Sequence, residues 1–474
     1  MNPASSTVWR RGTAFAAAAF LAGCASFSED RGFDTVRSAV QSRIGQEPVW
    51  VRDAGQAESL AAEVNKRLAE PLGPDDAVRI ALLNNRGLQA TYAELGIAEA
   101  DLVQAGRLIN PGFSFARLLR GSELEIERSV FVNLMSLITL PLAKKVQAER
   151  FEQAKLRVAG EAVRVAADTR RAWTAAVSAR EAVVYFEQVK SAAEASAELG
   201  NRMARSGNWS RLNYLREQTF YAETVAQLAR MRQTTLSERE KLARLMGLPG
   251  GEDAFRLPER LPDLPSATRE ARDLEAEALE KRLDVQAGRR EVDALAEAIG
   301  LARVTGYVNT LELKYLRKTE APKEPQTGWE VEFRLPIFDW GDARIARAQS
   351  QYMQSFNRAA QLAVNARSEV REAYSAYRTA YDVAKHYRDE IVPLRKRISE
   401  ENVLRYNGML ISVFELLADA RQQVTSVSAY LAALREFWVA EANLQTVTVA
   451  GSAPLSASAS INVGAAAMPA AAPH

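Results

Sequence analysis

The nonapeptide Trp329-Glu330-Val331-Glu332-Phe333-Arg334-Leu335-Pro336-Ile337 alternates apolar and charged side chains until a proline ends the run. A period of two is that of a strand, so Trp329, Val331, Phe333 and Leu335 share one face and Glu330, Glu332 and Arg334 the other. Earlier in the chain Phe113 and Phe115 alternate with Ser114 and Ala116. Leu124, Ile126, Val130, Val132 and Leu134 likewise alternate with Glu123, Glu125, Glu127, Ser129 and Asn133, which predicts further strands. The proline is a second clue, because Leu335-Pro336-Ile337 repeats Leu140-Pro141-Leu142 at an offset of 195. Ala278, Leu279, Val285, Gln286 and Ala287 echo Ala81, Leu82, Leu88, Gln89 and Ala90 at 197. Tyr406, Asn407, Gly408 and Ser412 answer Arg205, Ser206, Gly207 and Ser210 at about 201. Three landmarks in one order at nearly one period describe a duplicated unit.

Each half reads as a helix, two short strands, a very long helix, a turn and a returning helix. The first helix starts at Pro74, Asp75 and Asp76 and runs to about Leu108, where Asn110, Pro111 and Gly112 stop it. From Ala143 to about Arg205 there is no proline, and the composition predicts one helix of roughly 60 residues, about 90 Å long. Val158, Ala162, Val165, Thr169, Ala172, Ala176, Ala179, Val183 and Phe186 follow steps of four and three, a seam of mostly small residues that suits a tightly packed wall. The matching helix, Asp342 to about Leu404, contains Pro393 and should kink or break there. Returning helices are expected from Ser210 to Leu245 and from Val413 to Val447.

The fold class is therefore mainly α with a small β part. The expected organisation is a signal peptide at 1–23, a leader at 24–72, a first repeat at 73–249, a Pro/Gly linker at 250–268, a second repeat at 269–448, and a disordered Ala/Pro/Ser tail at 449–474.

Composition removes several function classes. Across 474 residues, Lys plus Arg is 61 against 59 for Asp plus Glu, which gives no electrostatic footprint for nucleic acid. A mean hydropathy of -0.22 and the lack of a long apolar run argue against a bundle of membrane helices. The two histidines are His386 and His474 and the one cysteine is Cys24, so neither a zinc-type cluster nor an intrachain disulfide is expected. No phosphate-cradling, nucleophile-elbow or zincin motif occurs, and no catalytic residue or metal site is expected. The N-terminus is more telling. Arg10 and Arg11 precede an Ala/Phe/Leu stretch from Thr13 to Leu21, short enough for a signal-peptide core. Leu21, Ala22, Gly23 and Cys24 follow and resemble a bacterial lipoprotein box, in which the thiol carries a covalent lipid; no other cofactor is expected. Cleavage before Cys24 would remove two arginines and no acid, leaving 59 basic and 59 acidic side chains.

The lipoprotein box, the duplicated element order, the Asn110-Pro111 corner, the Leu-Pro landmarks and the turns at Gly207 and Gly408 together resemble the TolC-like outer-membrane efflux family, in its lipoprotein branch. The resemblance spans residues 70 to 448 plus Cys24. It implies a homotrimer in which three chains give four strands each to a twelve-stranded transmembrane barrel above an α-helical tunnel. It further implies a lipid-anchored location in the bacterial outer membrane, and partnership with a periplasmic adaptor and an inner-membrane efflux transporter. By position it makes Ser206, Gly207, Asn208, Asn407, Gly408 and Met409 the adaptor-docking tip turns. It turns Trp329, Val331, Phe333 and Leu335 toward lipid. The family's second turn often carries acids six and nine positions after its glycine, where this chain has Phe414 and Leu417. The neighbouring Glu415 and Asp419 are the candidate gate, with Arg405 or Arg421 as expected partners of Glu415. Two other readings stay open: a periplasmic coiled-coil scaffold without a pore, and the outer component of a type I secretion system.

Overall fold

The computed structural model describes residues 26–120, 123–251, 254–268, 270, 273–307, 310–320, 323–334 and 337–451. Cys24, Leu335 and the tail beyond 451 lie outside the described residues. The leader forms α1 (Phe33–Ile44) and α2 (Ala54–Leu68). The first half then gives α3 (Pro74–Asn84), α4 (Arg86–Ala105), β1 (Gly112–Arg120), β2 (Glu123–Asn133), α5 (Leu134–Arg205) and α6 (Arg211–Leu245). The second gives α7 (Leu274–Lys281), α8 (Leu283–Tyr307), β3 (Leu311–Glu320), β4 (Gln326–Phe333), α9 (Asp342–His386), a π turn (Tyr387–Ile391), α10 (Val392–Asn407) and α11 (Val413–Val449). Element order matches the duplicated reading throughout the described residues.

The single helix expected from Pro74 to Leu108 is instead two, broken at Asn85, and its counterpart is broken at Arg282. Both break residues are extended, with ψ of 114° and 123°. A break orphans carbonyl groups in the preceding turn. Gln89 Nε2 donates to Leu83 O at 3.3 Å and Gln286 Nε2 to Glu280 O at 2.7 Å, each 197 residues from its counterpart. The echoed glutamines therefore brace the same break in both halves.

Helix α5 is longer than expected: 72 residues, with Pro141 inside its first turns, or about 108 Å. Between Val158 and Ser178 it is buried on nearly all sides, because α1, α3, α4, α6, α8 and α11 surround it. Ala159, Ala162, Ala166, Ala172 and Ala176 make that encirclement possible, since side chains this small let helix axes approach closely. One core cluster joins Trp173 and Leu242 of the first half to Tyr377, Tyr381 and Phe437 of the second, so the two halves share one belt. The leader docks on a second cluster, Phe33, Val36 and Val40 packing near Tyr92 and Val158. Gly32 is required at the entry to α1: its φ is 75° and a Cβ there would lie 2.6 Å from the Phe151 ring. Arg79 donates to Glu63 at 3.0 Å and holds that carboxyl below its usual range, tying α2 to α3.

Residues 250–268, read as a Pro/Gly linker, are strapped onto this belt wherever they are described. Phe255, Leu257, Leu261 and Leu264 enter the core. The strap's carbonyls, which cannot join a regular ladder, take side-chain donors: Arg239 on Phe255 O, Arg180 on Leu257 O, Trp438 on Pro262 O and Tyr381 on Pro265 O. Burial pushes the Glu181 carboxyl up, and the 3.1 Å bond from Leu261 N–H pulls it back. Near Pro393 the helical path does not break: a π turn runs directly into α10, and the proline, second residue of α10, sits where its missing N–H costs least.

The four strands form one antiparallel sheet in the order β1-β2-β3-β4, with both edges open. It stands clear of the belt, at the far ends of α4, α5, α8 and α9. Among the described residues no helix is long and apolar enough to cross a membrane, a finding that does not bear on the sheet.

Candidate functional site

Sheet register sorts the strands into two faces. One carries Phe113 and Phe115 of β1, Val130 and Val132 of β2, Leu313 and Tyr315 of β3, and Trp329, Val331 and Phe333 of β4. Most of these side chains are exposed, Trp329 to 70%. Tyr315 and Trp329 face each other directly, ring centroids 4.9 Å apart. Leu137, Ile138, Ile337, Phe338 and Trp340, a few residues past the ends of β2 and β4 in the chain, are exposed as well. The other face carries Glu123, Glu125, Glu127, Glu312, Glu320, Glu330 and Glu332 against Lys314 and Lys318. Lys318 pairs with Glu125 at 2.7 Å and Lys314 with Glu330 at 3.2 Å, which leaves the face acidic. The alternation read at Trp329–Phe333 thus divides between an apolar and a charged face.

The opposite end of the molecule holds the two helix-to-helix turns. At the first, Asn208 N donates to Met203 O at 2.9 Å and Gly207 N to Ala204 O at 3.2 Å, with Gly207 at φ 76°. This is a Schellman cap on α5, and Ser206 and Asn208 bond each other across it at 3.1 Å. The second turn has the same bonds one residue later. Leu410 N donates to Arg405 O at 2.8 Å and Met409 N to Tyr406 O at 2.9 Å. Here Met409, at φ 57°, takes the left-handed position, while Gly408 has φ −83° and Asn407 ends α10. The glycines are therefore not equivalent: Gly207 corresponds to Met409, as Ser210 corresponds to Ser412. A methionine in the left-handed region costs about 1 kcal/mol over glycine, yet Met409 is 93% exposed and Leu410 beside it is exposed too. The second tip thus presents two large apolar side chains to solvent.

Ser210 and Ser412 cap the returning helices, accepting from Asn213 N at 3.2 Å and Glu415 N at 3.3 Å. Glu415 accordingly sits at the third helical position of α11, exposed, where a carboxylate favours the positive helix end. Neither expected partner meets it. Arg405 pairs with Glu401 at 3.2 Å, one turn back on its own helix, and Arg421 turns to Glu217 of α6. Asp419 is half-buried, and its Oδ2 has no hydrogen-bond partner among the described residues.

The Arg421–Glu217 contact was not legible in the sequence. Glu217 is 1% exposed; one carboxylate oxygen receives the Arg421 guanidinium and the other the Ser196 hydroxyl at 2.7 Å. The guanidinium also lies over the Phe220 ring at 4.8 Å. Side chains from α5, α6 and α11 therefore lock the first helical hairpin to the second near the turns. No signal short of knowing which helices adjoin could have paired residues 204 positions apart.

No family model matches the sequence, and no curated protein sequence matches it. Solved structures do. The open state of the Neisseria gonorrhoeae MtrE outer membrane channel is 17% identical, with 80% of this chain and 89% of that one covered at a TM-score of 0.68. The Campylobacter jejuni CmeC outer membrane channel is 15% identical, covering 85% and 89% at 0.66. The outer membrane protein VceC from Vibrio cholerae is 14% identical, covering 82% and 97% at 0.66. The helical belt, the two long hairpins and the four-stranded sheet together have the fold of the TolC-like outer-membrane channels.

Proposed function

We propose that this chain is the outer-membrane duct of a tripartite efflux system, a passive exit for substrates that an inner-membrane pump delivers through a periplasmic adaptor. One observation carries the reading: an open-edged, four-stranded sheet with one exposed apolar face and one acidic face. Unpaired strand edges cannot rest in lipid, and spanning barrels need at least eight strands, so the sheet requires other copies to close it. Three copies make twelve strands, the apolar faces meeting lipid and the glutamates lining the lumen. The helical hairpins then reach away from the membrane, and their tips, Ser206–Asn208 and Asn407–Leu410, are where the adaptor docks. Glu415 and Asp419 stand beside those tips at the mouth of the tunnel, and Arg421–Glu217 holds it closed. A pore-free coiled-coil scaffold leaves the exposed apolar face without a role.

Light scattering of the detergent-purified protein is expected to give a particle with the protein mass of three chains. A stable monomer would overturn the reading. Lipid on Cys24 is part of the same proposal: labelled palmitate should enter the wild type and not Cys24→Ser, and equal labelling would remove the anchor while leaving the barrel.

A further inference from the structure

We infer that Arg117, Arg128 and Arg317 form a binding row for the phosphates of anionic lipid headgroups in the outer half of the sheet; this rests on the barrel reading above. In the register, Arg128 stands directly opposite Arg317, and Arg117 lies diagonal to Arg128, whose direct partner is Phe115. All three arginines share the apolar face and are exposed. None of the three side chains has a hydrogen bond or ion pair with any described residue. The contrast with the acidic face is sharp, because there both lysines are paired with glutamates.

Like charges directly opposite one another destabilise a strand pair, so this arrangement calls for an anion. The sheet itself does not offer one. Among the described strand residues the apolar face carries no Asp or Glu, so a neighbouring copy of the same sheet brings no carboxylate to it. Position identifies the source. From Phe333 to Thr327 the face runs about 20 Å along β4, and Arg128 and Arg317 stand level with Thr327 in the half of the sheet remote from the helices, with Arg117 one step farther; Ile126, Leu119 and Leu124 continue the face to the β1–β2 hairpin end. With the helices in the periplasm, that half meets the outer leaflet. Guanidinium groups suit the site because they offer two parallel N–H bonds to a phosphate, and their stems can lie along the apolar surface while the heads reach the headgroups.

The test is native mass spectrometry of the detergent-purified trimer with bisphosphorylated lipid A as probe. Dephosphorylated lipid A and inorganic phosphate serve as comparisons. Wild type is expected to retain the phosphorylated lipid, and Arg128→Gln/Arg317→Gln to lose about tenfold or more in retention. Arg117→Gln, which relieves no opposed pair, should lose a smaller share and guards against misfolding of the double variant. Equal retention by wild type and both variants overturns the inference, as does full competition by inorganic phosphate or equal retention of the dephosphorylated lipid. A single-chain particle seen before any lipid is added overturns the barrel reading and this one together, whereas an intact trimer with unchanged retention overturns this one alone.

Discussion

Arg421→Glu is expected to open the helical end of the duct. The substitution replaces the one guanidinium that meets the buried Glu217 carboxylate with a second carboxylate. Removing one partner of a buried pair costs about 3 to 5 kcal/mol, and at the lower end that corresponds to roughly a hundredfold shift in an equilibrium. The loss falls on the contact between the two hairpins. The belt around Trp173 and Phe437 is untouched, so the trimer should persist while the tips separate. Single-channel recordings should show the open state of Arg421→Glu populated roughly a hundredfold more than in wild type. Glu217→Gln, which can still bond Ser196, should give a smaller change. The doubly exchanged variant, Glu217→Arg with Arg421→Glu, should recover part of the closed state. Wild-type gating in all three would show that the pair braces the hairpins without controlling them.

A cationic side chain at Phe333 should cost far more than one at its neighbour. Phe333 belongs to the exposed apolar face, and Glu332, next in sequence, to the acidic one. An arginine on the lipid face of a barrel costs about 2 to 4 kcal/mol near the bilayer centre, whereas a lumen-facing arginine stays in water. Phe333→Arg should therefore remove most heat-resistant trimer from outer-membrane preparations, and Glu332→Arg should leave it near wild-type abundance. Equal losses would mean that the sheet does not meet lipid.

Much of the architecture was legible because it is periodic. The strands announce themselves at Trp329–Phe333 by alternation, the long helices by an unbroken composition, and the returning helices by Ser210 and Ser412, which cap them as placed. What escaped was set by contacts between distant segments. Asn85 and Arg282 sit inside helical patterns, and only the carbonyls that Gln89 and Gln286 collect reveal the breaks. The prolines and glycines of 250–268 signalled a linker, while its four apolar side chains and the arginines that meet its carbonyls make it a strap. At the second tip the sequence matched glycine to glycine, whereas the left-handed residue that answers Gly207 is Met409. Counted from Met409, the position six residues on is Glu415, which locally occupies the third position of α11. The latch was least legible of all, since Arg421 and Glu217 are ordinary surface charges until the fold brings their side chains together.

Reconstitution of the purified protein into a planar bilayer under a potassium chloride gradient tests the central claim most directly. Three acidic sheet faces around one lumen predict discrete conductance steps with a reversal potential on the cation side, and a weaker cation preference in Glu330→Gln/Glu332→Gln. A trimer that incorporates into the bilayer yet carries no current, even with Arg421→Glu, would contradict the account and leave the molecule a scaffold.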